Sequence, residues 1–200
     1  MKMNLKAIAV LAAAATLSVA ITGCSTATPT DTPGVERAGR YVLKQFGPEL
    51  WAVLGYKFAN SQLGDEWMLL ELALTSPAGQ FAKVQRDDVF LTNPNGNRIE
   101  LASQEEFNEA WGQVLRPMIA QANINRDPLL YFPPNREECA IQFFVQPGQG
   151  VSFDEVTLSQ ERGCLGRLFF QVPGGIQSGR WVFGIDLEES EIRIPFELGE

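Results

Sequence analysis

From Glu49 onward, apolar and polar positions run in short alternating stretches, separated by turn residues at intervals of about ten. Glu49–Phe58 alternates at Leu54, Tyr56 and Phe58, the period of a strand with one buried face. Asn60–Asp65 reads as a turn. Glu66–Thr75 is the densest apolar run, Trp67-Met68-Leu69-Leu70-Glu71-Leu72-Ala73-Leu74. Flanking Gly64 and Ser76-Pro77 favour a central strand there over a short helix. Phe81–Val84 and Val89–Thr92 continue as short strands. Asn93-Pro94-Asn95-Gly96 predicts a tight turn, because Asn-Gly accepts positive φ at low cost. Asn97–Leu101 then returns as a hairpin arm, with Ile99 and Leu101 inward and Arg98 and Glu100 outward.

Further strands are expected at Cys139–Gln146, Val151–Leu158, Cys164–Val172, Trp181–Leu187 and Glu191–Leu198. The last two alternate most cleanly, and Pro195 places the final strand at a sheet edge, since proline cannot donate to a ladder on both sides. Val35–Phe46 is read as a short helix with Tyr41 and Phe46 on its apolar side. Seven or more short strands with regular turns predict an antiparallel β-sandwich.

One stretch breaks the pattern. Ser103-Gln104-Glu105-Glu106 is a capping box, and Phe107, Trp111, Val114, Leu115 and Met118 follow at helical spacing. Pro117 removes a donor, so the helix should end or kink near Leu115 and resume as a second turn from Pro117 to about Asn123. Asp127-Pro128 and Pro133-Pro134 break regular structure, so residues 103–136 form a helical insertion. The apolar side chains of this insertion fit packing on the sandwich. A groove for a partner protein or glycan, using Trp111, Tyr131 and Phe132, is the sharper reading.

The N-terminus differs again. Lys2 and Lys6 precede an apolar run from Ala7 to Ile21, then Thr22-Gly23-Cys24. That run is 15 residues, short of the roughly 20 that a membrane span needs. A charged region, an apolar region and small residues before a cleavage point make a secretory signal. With Cys24 directly after the small residues, the segment resembles a bacterial lipoprotein signal, with Ile21-Thr22-Gly23-Cys24 as the lipobox. The resemblance implies cleavage after residue 23 and acylation of Cys24, hence a membrane anchor. Ser25, in place of an aspartate, implies sorting to the outer membrane of a two-membrane envelope. Residues 24–34, rich in Ser, Thr and Pro, read as a flexible tether, leaving 35–200 as one domain.

Charge and cysteine content narrow the function. The 200-residue chain carries a formal charge of −8, and loss of Lys2 and Lys6 on cleavage takes it to −10. That balance opposes nucleic-acid binding and adhesion to anionic lipid by charge alone, so attachment would rest on acyl chains. With Cys24 lipidated, Cys139 and Cys164 remain, 24 residues between them. In an oxidising exported compartment they are expected to form a disulfide. A redox pair or metal site is the alternative, without a Cys-x-x-Cys spacing to favour it.

The chain contains no histidine, which removes Ser-His-Asp, Cys-His and His-based metal sites. No phosphate loop or dinucleotide fingerprint occurs. Asp87-Asp88, Glu137-Glu138 and Asp154-Glu155 are adjacent carboxylates near strand ends, where neighbours point to opposite faces. The residues therefore nominate no catalytic group, no metal ligand and no cofactor. Trp67–Thr75, Val89-Phe90-Leu91-Thr92-Asn93 with Gly96, and Pro173-Gly174 before Gly179-Arg180-Trp181 resemble the immunoglobulin-like domains of bacterial surface lipoproteins. That resemblance implies an immunoglobulin-like sandwich with a binding or scaffolding role in the cell envelope. A carboxylate hydrolase and a purely structural envelope subunit stand as the alternatives.

Overall fold

The computed structural model describes residues 28–122, 128–132, 137–188 and 190–199. The signal segment, Cys24 and residues 133–136 lie outside the described residues. The chain is mainly β, in mostly antiparallel sheets, with the longest helical segment, residues 104–121, packed on one side.

The largest sheet begins as a meander. β1 (Thr28–Pro29), β2 (Val35–Gly39), β3 (Val42–Phe46), β4 (Trp51–Gly55) and β5 (Trp67–Thr75) are neighbours in chain order. β5 then pairs antiparallel with β11 (Arg162–Gln171), and β11 pairs with β9 (Glu137–Ala140) at the edge. A second sheet has the order β13 (Glu191–Leu198), β12 (Gly179–Asp186), β7 (Val89–Thr92), β8 (Arg98–Glu100). β6 (Phe81–Gln85) and β10 (Glu155–Ser159) form a separate pair.

The main core lies between these sheets. Leu54, Met68, Leu70, Leu72, Leu168 and Phe170 meet Leu91, Trp181, Phe183, Ile185, Ile194 and Phe196 across it. The opposite face of the large sheet is covered too. Trp67, Leu69 and Phe169 pack under the helical segment, and Val53 and Ala73 pack under Phe132. β5 is therefore buried on both faces, with only Glu71 partly exposed. This explains its unbroken apolar run: alternation is seen only where one face meets water. β12 and β13 show that alternation, and β13 sits at the sheet edge, as Pro195 requires.

Several expectations need correction. Residues 35–46 form the β2–β3 hairpin, not a helix. Gly39 and Arg40 break the segment, and Val35, Val42 and Leu43 are branched or apolar residues that gain more from strand pairing, β2 with β3 and β3 with β4, than from a short isolated helix. The expected strand at 139–146 stops at Ala140. Beyond it, Ile141 and Phe143 bury their side chains in the core from irregular backbone. β9 pairs parallel to β11, against the expectation of purely antiparallel sheets. The strand expected from Val151 begins only at Glu155. Of the tether expected at 24–34, Thr28–Pro29 is already paired with β2, and Thr30 donates from its backbone to the Val35 carbonyl at 3.0 Å.

The cysteine pairing is present. Cys139 and Cys164 stand opposite each other in the β9–β11 ladder, Cα atoms 4.3 Å apart, and are joined.

Candidate functional site

The helical segment is built as its sequence dictates, up to its proline. α2 (Gln104–Ala110) starts at Ser103, whose side chain accepts from the Glu106 amide at 3.1 Å. The Glu106 carboxylate accepts from the Ser103 amide at 2.7 Å, closing the box. The helix does not end at Leu115. Trp111–Leu115 widens into a π-turn, with the Arg116 amide donating to the Trp111 carbonyl, and α3 (Arg116–Gln121) continues. Pro117 has no N–H to return to the Gln113 carbonyl, and its ring crowds that position. A wider turn just before it relieves the conflict without a break.

This segment forms one wall of a cleft of about 960 Å³. The second wall is the stretch after β4. There α1 (Lys57–Ser61) turns the chain, and Gln62 reaches back so that its side-chain oxygen accepts the Leu69 amide at 3.1 Å. The β4–β5 ladder has ended at Gly55–Glu71, so Gln62 replaces the missing strand for a buried donor. The Gly64–Glu66 turn is held to the 172–176 segment by three backbone bonds of 2.7–2.8 Å: Gly64 amide to Ile176 carbonyl, Ile176 amide to Asp65 carbonyl, and Val172 amide to Glu66 carbonyl. The approach is so close that a Cβ on Gly175 would lie 2.8 Å from the Gly64 carbonyl oxygen.

The cleft surface is mixed. Phe58, Val114, Pro117 and Met118 supply apolar area; Gln113 and Gln121 supply amides; Lys57, Asp65 and Glu66 supply charge. Val114 is 41% exposed, apolar surface that packing leaves in water. Such a surface can bind a ligand through contact and amide hydrogen bonds. Among the described residues no group of three or more His, Cys, Asp or Glu gathers to hold a metal.

The residues singled out from sequence are not brought together. Trp111 is partly buried and packs on Phe107, ring centroids 5.4 Å apart, in the cluster under the helix. Tyr131 and Phe132 belong to the separate cluster over Val53 and Ala73, where Phe132 lies 6.2 Å from Phe46. None of the three lines the cleft. The residues that do line it come from segments about fifty positions apart, and no local pattern links them. Gly64 and Pro117 were the only local marks of its two walls.

Three of the six carboxylates in the adjacent pairs have structural partners. Asp154 meets the Arg86 Nε at 3.0 Å, and Asp88 accepts the Gln85 amide at 2.7 Å. Glu155 is held below its ordinary pKa by hydrogen bonds from Gln85 and then Lys83. On the outer face of the second sheet, burial opposes ionisation of Asp186. Hydrogen bonds from Arg193 and Arg98 outweigh it and keep the carboxyl below its usual range.

Comparison with protein-family models, curated proteins and solved structures gives no match.

Proposed function

We propose that the chain is an envelope lipoprotein whose domain acts by binding and not by catalysis. In this reading residues 1–23 direct export and Cys24 carries acyl chains that hold the domain at a membrane, the outer one where the envelope has two. The lipobox pattern supports the anchor, and a disulfide suits an oxidising compartment. Two antiparallel sheets facing each other across one core support an immunoglobulin-like sandwich. The five-strand meander and the parallel β9–β11 pair depart from the Greek-key order of that fold.

The cleft carries the binding reading. Its volume lies at the upper end of the ordinary range for ligand sites, roughly 300–1,000 Å³. A π-turn, a local irregularity often found at functional sites, puts Gln113 and Val114 on its wall. The partner is an envelope protein segment or a glycan. A benzophenone photocrosslinker at exposed Gln113, in intact cells, should give a reproducible adduct that Val114→Arg suppresses. The exposed Val114 makes that substitution tolerable to the fold. Absence of any adduct, or an adduct indifferent to Val114→Arg, overturns the cleft as the binding place.

A further inference from the structure

The chain is acidic, yet three of its unpaired cations lie together. Lys44 pairs with Glu36, Lys83 with Glu155 and Arg180 with Asp31. Six cations have no ion-pair partner among the described residues: Arg116 on α3, Arg162 and Arg167 on β11, and Arg37, Arg40 and Lys57, which are exposed. The last three share one end of the large sheet. Arg37 Nη1 donates to the Arg40 carbonyl at 3.2 Å and to the Tyr56 hydroxyl at 3.0 Å. That hydroxyl donates to the Arg40 carbonyl at 3.1 Å. The Arg40 guanidinium sits 5.1 Å from the centre of the Tyr41 ring, and Tyr41 meets Tyr56 edge-on at 5.6 Å. The Tyr56 amide bonds the Tyr41 carbonyl at 3.0 Å, and Lys57 follows directly as the first residue of α1.

The chain enters the domain at this same end. β1 runs antiparallel to β2 with Thr28 opposite Arg37 and Pro29 opposite Glu36. Thr28 is thus the end of β1 nearer the Gly39–Tyr41 turn. From Cys24 to Thr28 the backbone takes four steps, which span at most about 14 Å. Pairing of Thr28 and Pro29 removes the slack that a tether to residue 34 would give.

We infer that the Arg37–Arg40–Lys57 end, with Tyr41 at its rim, is the face the domain lays on the membrane, its cations against the phosphates of anionic lipid headgroups. This rests on the acylation of Cys24 proposed above. The net negative charge of the rest of the domain favours the same orientation. An anionic surface repels the acidic parts and attracts this one end, within the Debye length of about 8–10 Å that a short tether allows. Arginine and tyrosine suit a headgroup layer, each with an apolar stem or ring and a polar tip. Asp65 and Glu66 line the cleft and form no ion pair with any of the three cations. Lys57 also lines the cleft, so the cleft opens beside the membrane-facing end.

The test uses the full chain, expressed in bacteria, purified in its mature form and reconstituted in vesicles of phosphatidylcholine with or without phosphatidylglycerol. A photocrosslinker is placed at Ser61, one helical turn from Lys57, or at Ala78, in the exposed turn beyond the other end of β5. Lipid adducts at position 61 should exceed those at 78 several-fold in the phosphatidylglycerol vesicles. High salt and the triple variant R37Q/R40Q/K57Q should each shrink that gap. Equal adducts at both positions, in protein shown by mass spectrometry to carry lipid on Cys24, overturn the orientation alone. A Cys24 without lipid overturns the anchor and the orientation with it.

Discussion

Arg86 shows how a single charged residue organises irregular backbone. It is 8% exposed, and its three nitrogens all donate: to the Asp154 carboxylate at 3.0 Å, to the Ala102 carbonyl at 2.7 Å and to the Phe143 carbonyl. Its guanidinium also lies 4.8 Å from the centre of the Phe144 ring. The acid partner matters least, because the Asp154 side chain is 84% exposed and such pairs contribute about 0–1 kcal/mol. The carbonyls matter most. They belong to segments that have left the strand ladders, and without Arg86 they are buried acceptors with no donor, at about 1–3 kcal/mol each. Arg86→Met should therefore cost about 2–4 kcal/mol in urea unfolding, and Asp154→Asn under about 1 kcal/mol. Equal losses in the two variants would show that the ion pair, and not the carbonyls, is what Arg86 supplies. Nothing in the sequence marks this residue. It stands in a polar stretch, Gln85-Arg86-Asp87-Asp88, that looks like any solvated turn.

At the scale of elements, legibility followed local chemistry. The capping box at Ser103, the Asn-Gly turn before β8 and the edge position of β13 all depend on residues within a few places of one another, and the structure has each of them. The 141–154 segment failed because its apolar residues are buried by tertiary contacts, with Phe143 1% exposed, and not by a strand period. The hairpin over 35–46 failed because its strand partner, β4, decides its conformation. Gly184 in β12 is an intermediate case. Its strand was legible, but a glycine in the middle of it had no local reason. The reason is across the sheet: a Cβ there would lie 2.3 Å from Cζ of Phe90 on β7, whose ring covers the site. Arg98 and Arg193 stack on that ring, at 3.6 and 4.9 Å from its centre. Gly184→Ala should push the ring off its site and destabilise by about 1–3 kcal/mol. In a double-mutant cycle with Phe90→Ala, the added cost of the alanine at 184 should largely vanish, since the clash has lost its partner. Additive costs would place the strain in the β12 backbone instead.

For the molecule as a whole, the sequence implied a mainly β domain with a core, but not which strands meet. Its layers depend on pairings between positions far apart, such as Leu70 with Leu168 and Phe183 with Leu91. The cleft was illegible for the same reason: α1 and the π-turn are neighbours only after folding. The edge strand β9 is where the whole assembly is most dependent on one covalent bond. It touches the sheet through four residue pairs of a parallel ladder, its residues are largely exposed, and one of those pairs is the Cys139–Cys164 disulfide. A ladder that short holds weakly on its own. The bond closes a loop that contains Ile141, Phe143 and the carbonyl that Arg86 binds, so it ties the irregular segment to the core as well as the strand. For 24 intervening residues the chain-entropy model gives about 3–4 kcal/mol, a large share of the roughly 5–15 kcal/mol that a domain has. The double variant C139A/C164A should lose about that much in urea unfolding of the mature protein. Hydrogen exchange should locate the loss. Amides of β9 and of residues 141–143 should open well before those of β5, which is buried on both faces and exchanges only on global unfolding. Uniform loss of protection across β5 and β9 would mean instead that the edge strand and the core form one cooperative unit.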